Sequence, residues 1–169
     1  PNILVTGTPG TGKTTLCELI CKRTNNLFKH FNLSKMVKEE NLHDGFDKNT
    51  SSHILNEDKL LDHLEELFEE TDRDYGYIFD LHTCYFFPER WMDLVIVLRT
   101  DNSILFKRLQ KRGYAPKKIK ENIEAEIFQV LLDEANESYD KKIVKELKSN
   151  SVKDMNNNLN QILNWIKNW

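Results

Sequence analysis

Ile3-Leu4-Val5-Thr6-Gly7-Thr8-Pro9-Gly10-Thr11-Gly12-Lys13-Thr14 joins an apolar run to the pattern Gly-x-x-x-x-Gly-Lys-Thr. A buried strand must stop there, turn sharply and open a helix, and glycine permits the backbone angles that such a turn needs. The turn gathers backbone N–H groups in one concavity at a positive helix end, a cradle for phosphate. Lys13 adds a mobile positive charge for β- and γ-phosphates, and the Thr14 hydroxyl suits Mg²⁺. A glycine-rich turn with an exposed lysine is the plainer alternative. It leaves unexplained both the strand-like run before the loop and the amphipathic run after it.

Working outward, Thr14 to Cys21 carries apolar residues at helical spacing, ending near Thr24-Asn25-Asn26. A short strand is expected over Phe28 to Asn32 and a short helix over Leu33 to Glu40, followed by a turn-rich stretch from His43 to Asp47. Asn56-Glu57-Asp58 caps a helix whose apolar face is Leu60, Leu61, Leu64, Leu67 and Phe68. Tyr77-Ile78-Phe79-Asp80 and Leu94-Val95-Ile96-Val97-Leu98 are nearly continuous apolar runs, as parallel strands covered on both faces require. Asp101-Asn102-Ser103 caps a helix from Ile104 to Arg112, which Gly113 stops. One long helix is expected from about Lys117 to Asp140, then a strand near Ile143 to Leu147. A last helix, about Asp154 to Trp169, places Leu159, Ile162, Leu163, Ile166 and Trp169 on one stripe. Strands alternating with helices predict an α/β fold of three layers around a parallel sheet, with no linker dividing residues 1–169.

Composition excludes several classes. A net charge of −3 over 169 residues offers no global attraction to nucleic acid or anionic membranes, and no apolar run approaches a membrane span. Sequence-specific nucleic-acid binding and membrane insertion are therefore not expected, and the mixed-charge surface predicts a monomer. Cys17, Cys21 and Cys84 are odd in number and lack metal-ligand spacing, so a zinc site is not expected from the sequence and reduced thiols of a cytosolic or nuclear protein are.

A phosphate loop needs a carboxylate at the end of a neighbouring strand to organise magnesium, and Asp80 is the candidate; a turn aspartate is the alternative. His82, two residues on, shares that strand-end region and can orient water or a magnesium ligand, although a structural histidine would look the same. Arg108 and Arg112, four apart on one helix, face the Gly113-Tyr114-Ala115-Pro116 break, where they can clamp transferring phosphates; with Lys107 and Lys111 they also read as a solvated basic face. Arg90, Lys35 and Lys38 are candidate contacts for a second anion. A GTPase would carry an Asn-Lys-x-Asp base-reading motif, and none is present. A hydroxyl acceptor needs a base, whereas a nucleoside monophosphate attacks with an oxygen already anionic. Basic groups around a second anion site therefore favour a nucleotide acceptor.

The loop with Thr15, the Asp80-Leu81-His82 segment, Phe86-Phe87-Pro88-Glu89-Arg90-Trp91, Val97-Leu98-Arg99-Thr100-Asp101 and Glu126-Ile127-Phe128-Gln129-Val130-Leu131 together resemble the adenylate kinase isoenzyme 6 (coilin-interacting nuclear ATPase) family. That resemblance covers the whole chain. It implies a P-loop NTPase fold of the nucleoside monophosphate kinase type, with sheet order 2-3-1-4-5. It further implies a monophosphate-binding insertion near residues 32–59 and a short lid near residues 111–121. It implies Mg²⁺-dependent adenylate kinase activity, from ATP to AMP, beside a slow ATPase. A role in small ribosomal subunit maturation through a ribosomal protein partner is also implied, with a nuclear and cytoplasmic location. Carried over by position, Gly10, Thr11, Gly12, Lys13, Thr14 and Thr15 would hold ATP with Arg112 reaching from the lid, and Asp80 and His82 would match the family's Asp-x-His pair. Lys38 stands where the family usually has arginine, and lysine offers a point charge in place of a bidentate fork. An ATP-switched assembly factor, in which hydrolysis only resets a partner interaction, would use the same loop.

Overall fold

A computed structural model of the chain describes residues 1–70 and 76–169. Five parallel strands form the central sheet: β1 (Ile3–Gly7), β2 (Phe28–Asn32), β5 (Gly76–Asp80), β6 (Leu94–Arg99) and β7 (Val144–Lys148). Their spatial order is β2-β5-β1-β6-β7, and a separate antiparallel hairpin joins β3 (His43–Asp47) to β4 (Ser52–Leu55). Counting only the sheet's strands, this is the expected 2-3-1-4-5 order, with the hairpin falling inside the 32–59 insertion.

Helices α1 (Lys13–Arg23) and α7 (Val152–Lys167) cover one face, while α2 (Leu33–Glu39), α3 (Glu57–Glu70) and α6 (Val130–Ser138) cover the other. The alternation of a strand sorts the core between them. Leu4, Phe79, Val95 and Val97 pack with Leu60, Leu64 and Leu132, whereas Ile3, Val5, Ile78 and Ile96 pack with Leu16, Ile20 and Leu159. Each fully buried side chain of this kind contributes about 1.5–3 kcal/mol relative to exposure. A third, smaller cluster of Leu105, Leu109 and Ile119 joins α4 (Asn102–Lys111) to α5 (Pro116–Ile127).

The structure corrects three expectations. The helix expected over 117–140 is two helices, because Gln129 adopts φ +56° between α5 and α6. The two halves serve different cores: Ile119 of α5 packs on α4, whereas Leu132 and Ala135 of α6 pack on the sheet. Glu126, with its carboxylate buried against Arg99, sits just before the bend. No glycine or proline marks the break, so periodicity runs straight through it. The stretch from His43 to Asp47 pairs as a strand although its sequence lacks apolar alternation and its one large apolar residue, Phe46, is exposed. Trp169 lies beyond the end of α7 and is exposed rather than buried in its stripe.

Candidate functional site: a phosphate loop facing a bipartite cavity

The loop between β1 and α1 takes the conformation its glycines allow, with Gly10 at φ +92° and Gly12 at φ +93°. A Cβ at Gly10 would also meet Leu105 Cδ1 at 3.0 Å, so substitution there brings strain and a clash together. The loop's carbonyls are held from behind. Arg108 donates from one guanidinium nitrogen to Gly10 O (3.2 Å), Thr100 Oγ1 (3.3 Å) and Ser149 O (2.9 Å), and Ser149 Oγ donates to Thr11 O at 2.6 Å. Thr11 Oγ1 closes the turn on Thr8 O at 2.8 Å. With the carbonyls turned inward, the first-turn amides of α1, which have no partners within the helix, face the cavity.

Lys13 Nζ lies across the loop, donating to Gly7 O at 2.8 Å and Thr8 O at 3.2 Å. Burial lowers its pKa to about 8, with the Asp80 carboxylate opposing that effect and the Arg112 cation adding to it. Thr14 Oγ1 donates to Asp80 Oδ2 at 2.5 Å. The register explains the meeting: Asp80 ends β5 directly beside Val5 of β1 and Asn32 of β2, at the crevice outside the strands' carboxyl ends. A hydroxyl and a buried carboxylate, both hard oxygen donors beside a phosphate cradle, fit a magnesium ion.

A cavity of about 860 Å³ opens in front of the loop. Gly10, Gly12, Lys13, Thr14, Asp80, His82 and Arg112 line its loop end. Asn32, Val37, Ser52, His53, Leu55 and Tyr85 line the far end, and Tyr114, Lys118 and Asn122 form a side wall. The volume falls in the range of small-molecule sites. His82 has a pKa below the usual histidine value, chiefly from desolvation by the walls; Lys13 and Lys118 reinforce this and Glu134 opposes it. The ring is thus neutral at physiological pH.

The remaining sequence candidates lie elsewhere. Arg108 braces the loop from behind and does not line the cavity, its own pKa lowered by burial and then by Arg112. Thr11 is buried within the turn, and Thr15 is exposed on the first turn of α1. Lys35 lines a second cavity, with its Nζ 3.8 Å from Glu39. Lys38 is exposed in the last turn of α2 and lines neither cavity. Arg90 is exposed in the 3₁₀ turn Glu89–Trp91, whose Trp91 carbonyl accepts from Asn2 at the start of β1. That is the end of the sheet away from the loop. Parallel strands demand this: after Asp80 the chain must return to the opposite end of the sheet before entering β6.

Three further groups went unseen in the sequence. Glu134 Oε1 accepts from Thr83 Oγ1 (2.7 Å), Cys84 N (2.7 Å) and Tyr85 N (3.1 Å), and so fixes the segment that carries His82. Tyr139 Oη holds the same segment through Cys84 O at 2.8 Å. Lys118 Nζ, 4.5 Å from the Tyr114 ring centroid, donates to Ser51 O at 3.1 Å and links α5 to the hairpin turn across the cavity. Glu134 lies about fifty residues from the segment it holds, within an ordinary helical pattern, so nothing local betrays it.

Comparison with known proteins agrees with this geometry. The sequence-family model described as an AAA domain matches residues 3–129. The chain is 51% identical over 169 residues to the adenylate kinase isoenzyme 6 homolog of Dictyostelium discoideum, covering all of this chain and 93% of that protein. It is 48% identical over 169 residues to the homolog of the same name in Schizosaccharomyces pombe, with the same coverage. Among solved structures, shikimate kinase from Bacteroides thetaiotaomicron superposes with a TM-score of 0.62 at 15% identity, covering 98% of each chain, which is a likeness of fold. A nucleotide-binding P-loop kinase fold with full-length relatives of one name places the chain in the adenylate kinase isoenzyme 6 family.

Proposed function

We propose that this chain transfers the γ-phosphoryl group of Mg-ATP to AMP or another nucleoside monophosphate, with slow ATP hydrolysis as a side activity. The observation that carries this reading is the convergence of Lys13, the Thr14–Asp80 pair and Arg112 on one cavity of about 860 Å³ whose walls continue to the hairpin residues Ser52, His53 and Leu55. Bound magnesium would neutralise and orient the triphosphate, held through Thr14 and Asp80. Lys13 exchanges the carbonyls of Gly7 and Thr8 for the β- and γ-phosphate oxygens, and Arg112 offsets charge on the transferring group. The cavity's far end supplies Val37, Leu55 and Tyr85 as apolar surface and Asn32, Ser52 and His53 as polar contacts for an acceptor. An anionic acceptor oxygen needs no base, only alignment. Neutral His82 can accept a proton from a water held near the γ-phosphate, which accounts for hydrolysis in the acceptor's absence.

A second reading, that of an ATP-switched assembly factor for the small ribosomal subunit acting in nucleus and cytoplasm, rests on the motif resemblance and on one surface feature. Ile127 (51% exposed), Phe128 (71%) and Val130 (46%) are exposed around the bend that follows α5, and α5 lines the cavity through Lys118, Asn122 and Ala125. An elbow tied to the cavity in this way can report nucleotide state to a protein partner.

ADP production from Mg-ATP, measured with and without each monophosphate, decides between the two. Strong stimulation by AMP supports the kinase. A slow rate indifferent to every monophosphate, and raised by a small-subunit ribosomal protein, supports the switch.

A further inference from the structure

A second cavity, of about 540 Å³, opens between α1, β2, α2 and α3 on the other side of Thr14, with Glu18, His30, Asn32 and His63 in its walls. His30 reaches from it to the magnesium-side carboxylate, its Nε2 standing 3.3 Å from Asp80 Oδ2. Cys17, one helical turn beyond Thr14, brings a third donor to the same point. The Cys17 thiol, a His30 ring nitrogen and an Asp80 oxygen all lie within 4.8 Å of one another.

We propose that Cys17, His30 and Asp80 form a binding site for a borderline or soft divalent transition metal, zinc above all, and that its occupation inhibits phosphoryl transfer by drawing Asp80 away from Thr14. The donor set makes the choice of metal. A thiolate and an imidazole discriminate against magnesium and calcium, which take hard oxygen ligands, and favour zinc and its neighbours. Around a tetrahedral zinc, sulfur sits about 3.5 Å from a nitrogen or oxygen ligand; His30 and Asp80 already stand 3.3 Å apart, so the closure needed, up to roughly 1 Å, is between Cys17 Sγ and that pair. Rotation of the His30 and Asp80 side chains can supply that movement, and His30, which lines the second cavity, gives the site its route from solvent. Binding forms a zinc–sulfur bond as the Cys17 S–H bond breaks and its proton passes to solvent; His30 gives a ring-nitrogen lone pair, and no oxidation state changes. Cys21, one turn further along α1, is outside the cluster and donates its own thiol to Phe28 O.

Inhibition follows because one oxygen serves both sites. Oδ2 is the atom that accepts from Thr14 and the atom that His30 approaches. A transition metal on Oδ2 breaks the Thr14 hydrogen bond and removes a ligand from the magnesium position. The inhibitory half rests on the function proposed above for Asp80; metal binding itself does not.

The test is titration of the reduced full-length protein with cobalt(II), an optically active substitute for zinc. One equivalent is expected to produce a thiolate-to-cobalt charge-transfer band with tetrahedral d–d absorption, discharged by zinc. Cys17→Ser should abolish the band, His30→Ala should weaken binding by at least about tenfold, and Cys21→Ser should leave both unchanged. Because Cys17 is buried, the His30→Ala affinity keeps the site testable even if Cys17→Ser folds poorly. Zinc should suppress ADP production under excess magnesium, with at least about tenfold less sensitivity in Cys17→Ser. No sulfur band, or a band lost in Cys21→Ser and kept in Cys17→Ser, overturns the site. A band with turnover indifferent to zinc overturns the inhibition and counts against the role given to Asp80.

Discussion

At the loop end of the cavity, Lys13, Thr14 and Asp80 sit on strand ends and a helix start buried on both faces of the sheet, and Arg108, Ser149 and Thr11 bind the loop's carbonyls from behind. At the far end, Ser52, His53 and Leu55 ride on a two-stranded hairpin whose Phe46 and Ile54 are exposed, tied across the cavity by Lys118 to Ser51 O. The loop end, which would hold the donor under the proposed function, is thus tied to the fold at many points, while the hairpin end, which would hold the acceptor, is tied at fewer. A two-stranded hairpin is marginally stable by itself, and this one leans on Leu55 against the main core and on the Lys118 link. Under the proposed function the contrast predicts a division: the loop end sets affinity for the triphosphate, and the hairpin end sets selection of the acceptor.

Lys13→Ala should break the donor end most severely, with ADP production falling by about 10³-fold or more, because no other loop side chain offsets β/γ charge. Near-normal turnover would refute the assignment. His82→Gly comes next, with hydrolysis expected to fall by about 10²-fold while ATP affinity by calorimetry is retained. Lost ATP binding would make His82 a nucleotide contact instead.

Arg108 in α4 and Arg112 at its C-cap sharpen the comparison, since the sequence treats them alike and the structure does not. Arg112→Ala should lower turnover by roughly tenfold to a hundredfold at an unchanged melting temperature. Arg108→Ala should cost about 1–3 kcal/mol of stability, because carbonyls of Gly10 and Ser149 lose a buried donor. Thermal denaturation beside steady-state kinetics separates the two, and a reversed pattern would reverse the roles.

Lys13 also makes a signed pH prediction. Its pKa is about 8 in the free protein against an ordinary 10.5, so the unfolded chain binds the extra proton between those values. The contribution of Lys13 to stability therefore rises with pH across that window, read as the difference between the native chain and Lys13→Met. Nucleotide affinity should move the other way, falling by up to about tenfold per unit above pH 8 with proton uptake on binding, because phosphate favours the charged lysine. Slopes of the same sign would contradict the placement of Lys13. The smallest effect belongs to the acceptor end. Lys118→Ala should raise the KM for the monophosphate about threefold, about 0.6 kcal/mol, and leave ATP affinity alone. An equal loss for both substrates would erase the distinction between the ends.

The parts of the site legible in the sequence are those where chemistry restricts residue type. The Gly7–Thr14 loop needs glycines at positive φ and a lysine, and Asp80 ends an apolar run that only a buried strand explains. Arg108 and Arg112 were legible as a pair and not as individuals, because spacing places both on one face and only packing shows that one turns under the loop. Arg90 shows the reverse difficulty: adjacency in sequence to a site segment carried it to the wrong end of a parallel sheet. The hairpin was hidden because its strands lack apolar alternation, and the bend at Gln129 because helical periodicity continues across it.

The order of residues by itself determined that a strand, a glycine-rich turn and a helix would build a phosphate cradle, and that alternating apolar runs would stack into a parallel three-layer fold. Local backbone geometry and the period of burial are short-range properties, readable a few residues at a time. Only the tertiary structure decided that Glu134 would hold the His82 segment, that Lys118 would span the cavity, and that Cys17 and His30 would meet at Asp80. Those meetings join elements far apart in the chain. They depend on strand register and helix packing angle, which no local pattern of residues encodes.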